Sequence, residues 1–390
     1  MTLLEEGKQL RDELQSFRRV LHANPELSFE EKETAQRIAQ YIDALNIPYE
    51  MNIGGHGIVA QINGEPGGAT IALRADMDAL PIQEEADVPF ASQNNGVMHA
   101  CGHDAHVTML LGAMKLLQQQ KLVGNVRFLF QSAEEINAGA KAMVQAGALD
   151  DVSEIYGLHN LPTLAAGKLA TCHGSMMGSV DRIEIYLQGK GAHGAIPNEG
   201  VDPVVCGSAI IMSLQTIISR EVSPFDPVVV TIGSIKSGEA NNVIPEYAVM
   251  TGTVRTFSSR VQQTMQRRIE RIVQSIAQSY RCEARVEYIT QVPVLVNHAA
   301  PLSFVNAVID QYIGADHRVT ADPTLAGEDF SIYLEQIPGC YFWLGSGPEH
   351  NAHEAYGLHH PKYLLNEECL PIGAAIMAAI AVERLKVLKT

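Results

Sequence analysis

The 390-residue sequence predicts an α/β fold, a mainly parallel, helix-covered sheet carrying an inserted α+β domain. Three observations point there. Strand-length apolar runs alternate with helical patterns as far as His159. Those runs end in acids or imidazole: Asp76 and Asp78, then Glu134 and Glu135, then His159. From about residue 179 the texture changes to strict alternation, as in Asp181-Arg182-Ile183-Glu184-Ile185-Tyr186-Leu187. The order there is strand, helix, strand, strand, helix, strand, the split βαβ or ferredoxin-like arrangement. This reading gives a discontinuous domain at 1–178 and 291–390 and an inserted domain at 179–290.

The elements follow in chain order. An amphipathic helix is expected over 3–22, with Leu10, Leu14, Phe17 and Leu21 on one stripe, ended by Asn24-Pro25. Ser28 with Glu31 reads as a capping box for a second helix through Ile42. Strands are expected at Ile58–Ile62 and Thr70–Leu73, the second leading to Asp76 and Asp78. The stretch Met98-His99-Ala100-Cys101-Gly102-His103-Asp104-Ala105-His106 then feeds an apolar helix, with Asp104 as its expected N-cap. Val126–Phe130 reads as a buried parallel strand, followed by a helix over 138–146 and a strand over 154–158. In the inserted domain, helices are expected from Asp202 to about Ser219 and from Ser258 to Tyr280. The main domain resumes with a helix at 300–313, a strand at 339–345 and a closing helix at about 366–386.

Composition narrows the function. Hydrophobic residues make up 46% of the chain, ample for a large core. The formal charge of −16 argues against nucleic acid or an anionic membrane as partner. Met1-Thr2-Leu3-Leu4-Glu5-Glu6 has neither the basic nor the apolar region of a signal peptide. The apolar run Leu370–Val382 is shorter than the roughly 20 residues that span a bilayer. Six scattered cysteines without paired spacing suit a reduced, cytoplasmic setting.

The chemistry gathers at the strand ends. Cys101 offers a thiolate and His99, His103 and His106 offer imidazoles; a helix N-terminus beside Cys101 is expected to lower its pKa. Pooling the strand ends gives Asp76, Cys101, His103, Glu134, Glu135, His159 and His359. One structural zinc takes four ligands, so this set suits two ions that share a bridging group. Adjacent side chains on an extended segment point in opposite directions. One of Glu134 and Glu135 can therefore bind metal while the other serves as general base. His359 and His360 are not distinguished by chemistry, and His22, His173, His298 and His317 read as surface residues. Cys101 as a nucleophile, or a binding protein without catalysis, are the rival readings.

The runs MHACGHDAH, RADMDALP (74–81), QSAEE (131–135), GLHN (157–160), GAHGAIP (191–197), NNVIPE (241–246), GTVRTF (252–257), GEDF (327–330) and GLHHP (357–361) together resemble one family. It is the hippurate hydrolase and auxin-conjugate hydrolase branch of the aminoacylase/carboxypeptidase superfamily. The resemblance implies a metal-dependent hydrolase of N-acyl-L-amino acids, or alternatively a carboxypeptidase or dipeptidase. It implies two divalent ions per subunit (Zn, Mn, Co or Ni) held by Cys101, His103, Glu135, His159 and His359, with Glu134 as general base. It implies that His193 stabilises the oxyanion, that Asn242 and Arg255 bind the substrate carboxylate, and that Asp76 stands behind the ligands. The inserted domain would be a lid and the surface of a homodimer or higher homo-oligomer.

Overall fold

The structure, a computed structural model, describes residues 2–389. The chain forms two compact units. One comprises the chain up to Gly174, Val296–Asp322 and the chain from Asp329; the other comprises Ser175–Leu295 and Pro323–Glu328.

The first unit is built on an eight-stranded mixed sheet with a parallel centre. Thr70–Asp76 pairs in parallel with Asn125–Gln131 on one side and with Val152–Ala165 on the other. Val152–Ala165 pairs in parallel with Gly339–Gly347. These strands are apolar almost throughout because both of their faces are covered. Every residue of Thr70–Asp76 and of Gly339–Gly347 is buried. Tyr49–Met51 and Ile58–Ile62 join antiparallel at one edge, which makes the sheet mixed.

Two strands outrun expectation, and both carry site residues. Asp76 is the last residue of its strand, not beyond it. His159 lies inside a strand that continues to Ala165, since its long neighbour keeps pairing and sets Trp343 opposite His159.

The helix His103–Gln118 is buried nearly all round, as befits a helix in the middle of a core. It packs against Cys369–Leu388, where small residues let the two backbones approach. A Cβ on Gly373 would lie 2.0 Å from Met109 Sδ, so this position has room for glycine alone.

Three local expectations fail for identifiable reasons. The helix expected over 3–22 is two helices, Leu3–Gln9 and Arg11–Ala23, with the Leu10 N–H turned back onto the Gly7 carbonyl at 3.0 Å. Ser28 does not cap the next helix, Lys32–Ala44; its hydroxyl donates to Asp78 at 2.7 Å. The Glu26 carboxylate takes over, accepting the N–H groups of Glu33 and Thr34 at 3.1 and 2.7 Å. Asp104 is not an N-cap either, because the helix begins two residues earlier than such a cap requires, at His103, and Gly102 holds that place.

The second unit has a four-stranded antiparallel sheet in the order Val228–Lys236, Tyr247–Thr256, Val180–Gln188, Glu283–Val292. Pro203–Thr216 and Ser259–Ser279 share a core with it that includes Ile183, Ile185, Met250 and Val254. The stretch Pro203–Glu221 is long and apolar enough to cross a membrane by length and composition. Cys206, Ile210 and Leu214 are nonetheless buried in the core of this unit, while Val204, Val205 and Met212 are exposed.

Candidate metal centre

The loop that feeds the central helix is held by one backbone conformation. Gly102 adopts φ +84°, a left-handed value open to glycine without strain. A Cβ there would also meet Asn160 Nδ2 at 2.4 Å and the Tyr363 hydroxyl at 2.5 Å. The turn aims Cys101 and His103 to one side although they are only two positions apart. Beneath it, Asp104 lies 2.7 Å from Arg18 Nε, an ion pair without hydrogen-bond alignment, and 2.8 Å from His22 Nδ1.

Around this loop the donor atoms converge. Cys101, His103 and His159 offer ligand atoms within 4.8 Å of one another, and so do Cys101, Glu135 and His359. The two triads share the thiol. Cys101 Sγ is 3.4 Å from His159 Nε2, and His359 Nε2 is 3.5 Å from Glu135 Oε2. His103, Glu134 and Glu135 form a further group, with His103 Nε2 4.0 Å from Glu134 and 3.8 Å from Glu135. Glu134 is buried. Ala133, directly before it, sits at φ +55°, and the Asn137 N–H closes the turn onto the Glu134 carbonyl at 2.7 Å. The Glu135 N–H donates to Asp78 at 3.0 Å.

The electrostatics ask for a cation. Burial disfavours a protonated His103, yet Asp76 and Asp78 outweigh it and push its pKa up to about 10. Burial, then Glu135 and Glu134, push the Cys101 thiol well above its usual range. The lowering expected from the helix N-terminus is thus overruled by burial first and by the carboxylates second. His103 Nε2 and Glu135 Oε1 are buried without hydrogen-bond partners among the described residues, a costly arrangement for polar atoms unless something else engages them. Thiolate, imidazole and carboxylate are the donors that zinc and its neighbours in the first transition series accept. The residues therefore fit a pair of divalent ions.

Asp78 is the residue sequence reasoning undervalued: it lies 3.2 Å from His103 Nδ1 and leaves Nε2 to face the site. The Asp-Met-Asp spacing was the available signal. Asp76 contacts His106 Nδ1 at 2.5 Å and Arg74 at 2.6 Å. Arg74 in turn reaches Asp329 at 2.9 Å, a link between distant segments that no local pattern announces. His360 stands apart, stacked on Tyr356 and accepting the Lys362 N–H. His99 is buried, its pKa pushed down to about 4 by burial, so it stays neutral. His22, read as a surface residue, is fully buried.

Three expected residues belong to the second unit. His193 pairs with Val243 in a two-stranded ladder, and the Asn242 carbonyl accepts the Gly194 N–H at 2.7 Å, so His193 and Asn242 are neighbours there. Arg255 lies on Tyr247–Thr256, its Nε donating to Thr253 Oγ1 at 3.0 Å.

The buried Glu31 yields a pH prediction. Its Oε1 accepts the Ala133 N–H at 2.9 Å, and burial followed by the charge of Asp78 raises its pKa from 4.5 to about 7. Between those values the folded state holds a proton that the unfolded state has lost. Stability from this group is therefore full below about pH 4.5 and falls by about 3 kcal/mol as pH rises through 7. Glu31→Gln should remove that decline, and urea titrations of chelated protein at pH 4.5 and pH 8 check it. Parallel stability profiles for variant and wild type would refute it.

Residues 72–383 match peptidase family M20/M25/M40, and the chain belongs to that family. It is 40% identical over 390 residues to an N-acetylcysteine deacetylase of Bacillus subtilis (strain 168), covering 98% of this chain and 99% of that protein. It is 40% identical over 393 residues to IAA-amino acid hydrolase ILR1-like 2 of Arabidopsis thaliana, covering 98% and 88%. A crystal structure of a Bacillus subtilis dinuclear metal-binding peptidase of the M20 family superposes with a TM-score of 0.84 at 37% identity, covering 97% of this chain and 99% of that one.

Proposed function

We propose that this chain is a binuclear metal-dependent amidohydrolase that cleaves the amide bond of N-acyl-L-amino acids, releasing a carboxylate and a free amino acid. The observation that carries the reading is the pair of donor triads sharing Cys101, set beside the buried Glu134. The deacetylase and the auxin-conjugate hydrolase it resembles over nearly their full lengths support the substrate class.

In this reading Cys101, His103, Glu135, His159 and His359 hold the ions. Divalent cations supply polarisation of the carbonyl and a lowered pKa for the attacking water. Glu134 takes the proton from that water as its oxygen bonds to the carbonyl carbon. It then delivers the proton to the amine nitrogen as the C–N bond breaks. His193 donates to the carbonyl oxygen as negative charge builds there. Arg255 and Asn242 bind the substrate carboxylate, which orients the amide. In this reading the second unit is a ferredoxin-like lid domain and the first is the discontinuous catalytic domain. Its exposed Val204, Val205 and Met212 suit a subunit contact in a homodimer.

The test is a panel of N-acetyl, N-benzoyl and indole-acetyl amino acids together with dipeptides, assayed before and after chelation. Hydrolysis of N-acyl amino acids should vanish with the metal and return with Zn, Mn, Co or Ni. Activity that outlasts exhaustive chelation would instead make Cys101 a nucleophile. A preference for dipeptides would favour the peptidase alternative.

A further inference from the structure

Asn160 follows a proposed ligand, His159, and is itself fully buried. A side-chain amide can give two hydrogen bonds and accept two, and here all four are made. Nδ2 lies 2.6 Å from the Cys101 carbonyl and 3.0 Å from His106 Nε2. Oδ1 accepts the Tyr363 hydroxyl at 2.7 Å and the Ser346 hydroxyl at 3.0 Å. A carbonyl can only accept, so the amide atom facing Cys101 is the nitrogen, and its orientation is fixed.

The backbone of Asn160 extends the pattern. Its N–H also reaches His106 Nε2 at 3.0 Å. A backbone N–H can only donate, so His106 carries its proton on Nδ1 and gives it to Asp76 at 2.5 Å. The Asn160 carbonyl lies 2.8 Å from His159 Nδ1. That bond places the His159 proton on Nδ1 and leaves Nε2, 3.4 Å from Cys101 Sγ, with a lone pair to offer.

We propose that Asn160 is a positioning residue whose side chain sets the spacing of Cys101 and His159, while its own N–H and carbonyl fix the tautomers of His106 and His159, so that the donors are assembled before any cation arrives. The proposal rests on the metal-site reading above. Groups that orient ligands in this way typically contribute about 10–100-fold to metal affinity.

Asn160→Asp keeps the shape and the acceptor oxygens but removes both amide protons. Tyr363→Phe is milder, deleting one hydroxyl that holds the amide in place. Metal-free wild type and variants would be titrated with Co(II), following affinity and the thiolate-to-cobalt charge-transfer absorption. Asn160→Asp should bind Co(II) about 10–100-fold more weakly, with weaker charge-transfer absorption per bound ion at saturation. Tyr363→Phe should move both readouts the same way, with affinity reduced at the low end of that range, about 10-fold. A loss of fold stability alone would leave the absorption per bound ion unchanged, and that result overturns the proposal. If Asn160→Asp does not fold, Tyr363→Phe decides between the same two outcomes. Absence of thiolate absorption in cobalt-loaded wild type would overturn the assignment of Cys101 to the metal first, and this proposal with it.

Discussion

Replacing Glu134 by glutamine should lower the turnover of an N-acyl amino acid by about 10²–10⁴-fold while the protein stays folded and keeps its metal. The substitution preserves size and hydrogen-bonding shape but removes the only function the mechanism asks of this residue, which is to accept and return a proton. Glu134 belongs to neither Cys101-containing triad, whereas Glu135 completes the triad with Cys101 and His359. Losing Glu134 thus leaves both Cys101-containing triads intact, and elemental analysis should find the wild-type metal content. Glu135→Gln should behave differently, since it weakens a ligand: metal content should fall together with activity. The pair of variants separates base from ligand. Equal metal loss in both, or turnover in Glu134→Gln within about tenfold of wild type, would reverse or remove the assignment.

How far the sequence reveals this site depends on how local each signal is. The cluster around Cys101 is legible because four potential ligands of two chemical kinds crowd one loop, and Glu134-Glu135 because the pair follows a buried apolar strand. The choice between His359 and His360 rests on the path of the chain. The His359 N–H bonds to the Ala100 carbonyl at 2.8 Å, and the residue sits at φ +64°, which turns its ring toward Glu135. No composition rule encodes that turn. The same holds for Asp78 and Asn160, whose value lies in contacts across 25 and 59 residues of sequence, to His103 and to Cys101. The pKa of Cys101 was misjudged for a related reason. A helix N-terminus is a local feature, whereas the burial and the Glu135 and Glu134 charges that raise this thiol depend on chain brought in from elsewhere in the sequence. In the fold, strand identity was readable from apolar runs. Strand length was not, because it depends on the neighbour that keeps the ladder going, as Gly339–Gly347 does for His159.

His22 shows the cost of such long-range contacts most plainly, and the network around it supports the largest stability prediction. Arg18, His22 and Asp104 are buried together, with Glu84 3.1 Å from His22 Nε2 and Glu367 3.5 Å from Arg18. Burial alone would raise the Asp104 pKa, but Arg18 and then His22 more than offset it and hold the carboxyl well below its ordinary range. The charge on Asp104 therefore depends on Arg18 first and on His22 second. Arg18→Met fills most of the space and leaves that carboxylate with the weaker of its two partners, His22, so it should cost about 3–5 kcal/mol. Arg18→Met combined with Asp104→Asn removes both charges and should recover about half or more of the loss, because a neutral amide is far cheaper to bury than an unpaired anion. Urea unfolding with chelator present measures both values without a contribution from metal binding. Additive costs in the double variant, or a loss below about 1 kcal/mol in Arg18→Met, would show that the pair is not coupled in this way. Asp104 directly follows His103, so displaced loop geometry should appear as well, as weaker metal binding in Arg18→Met that the double variant partly restores.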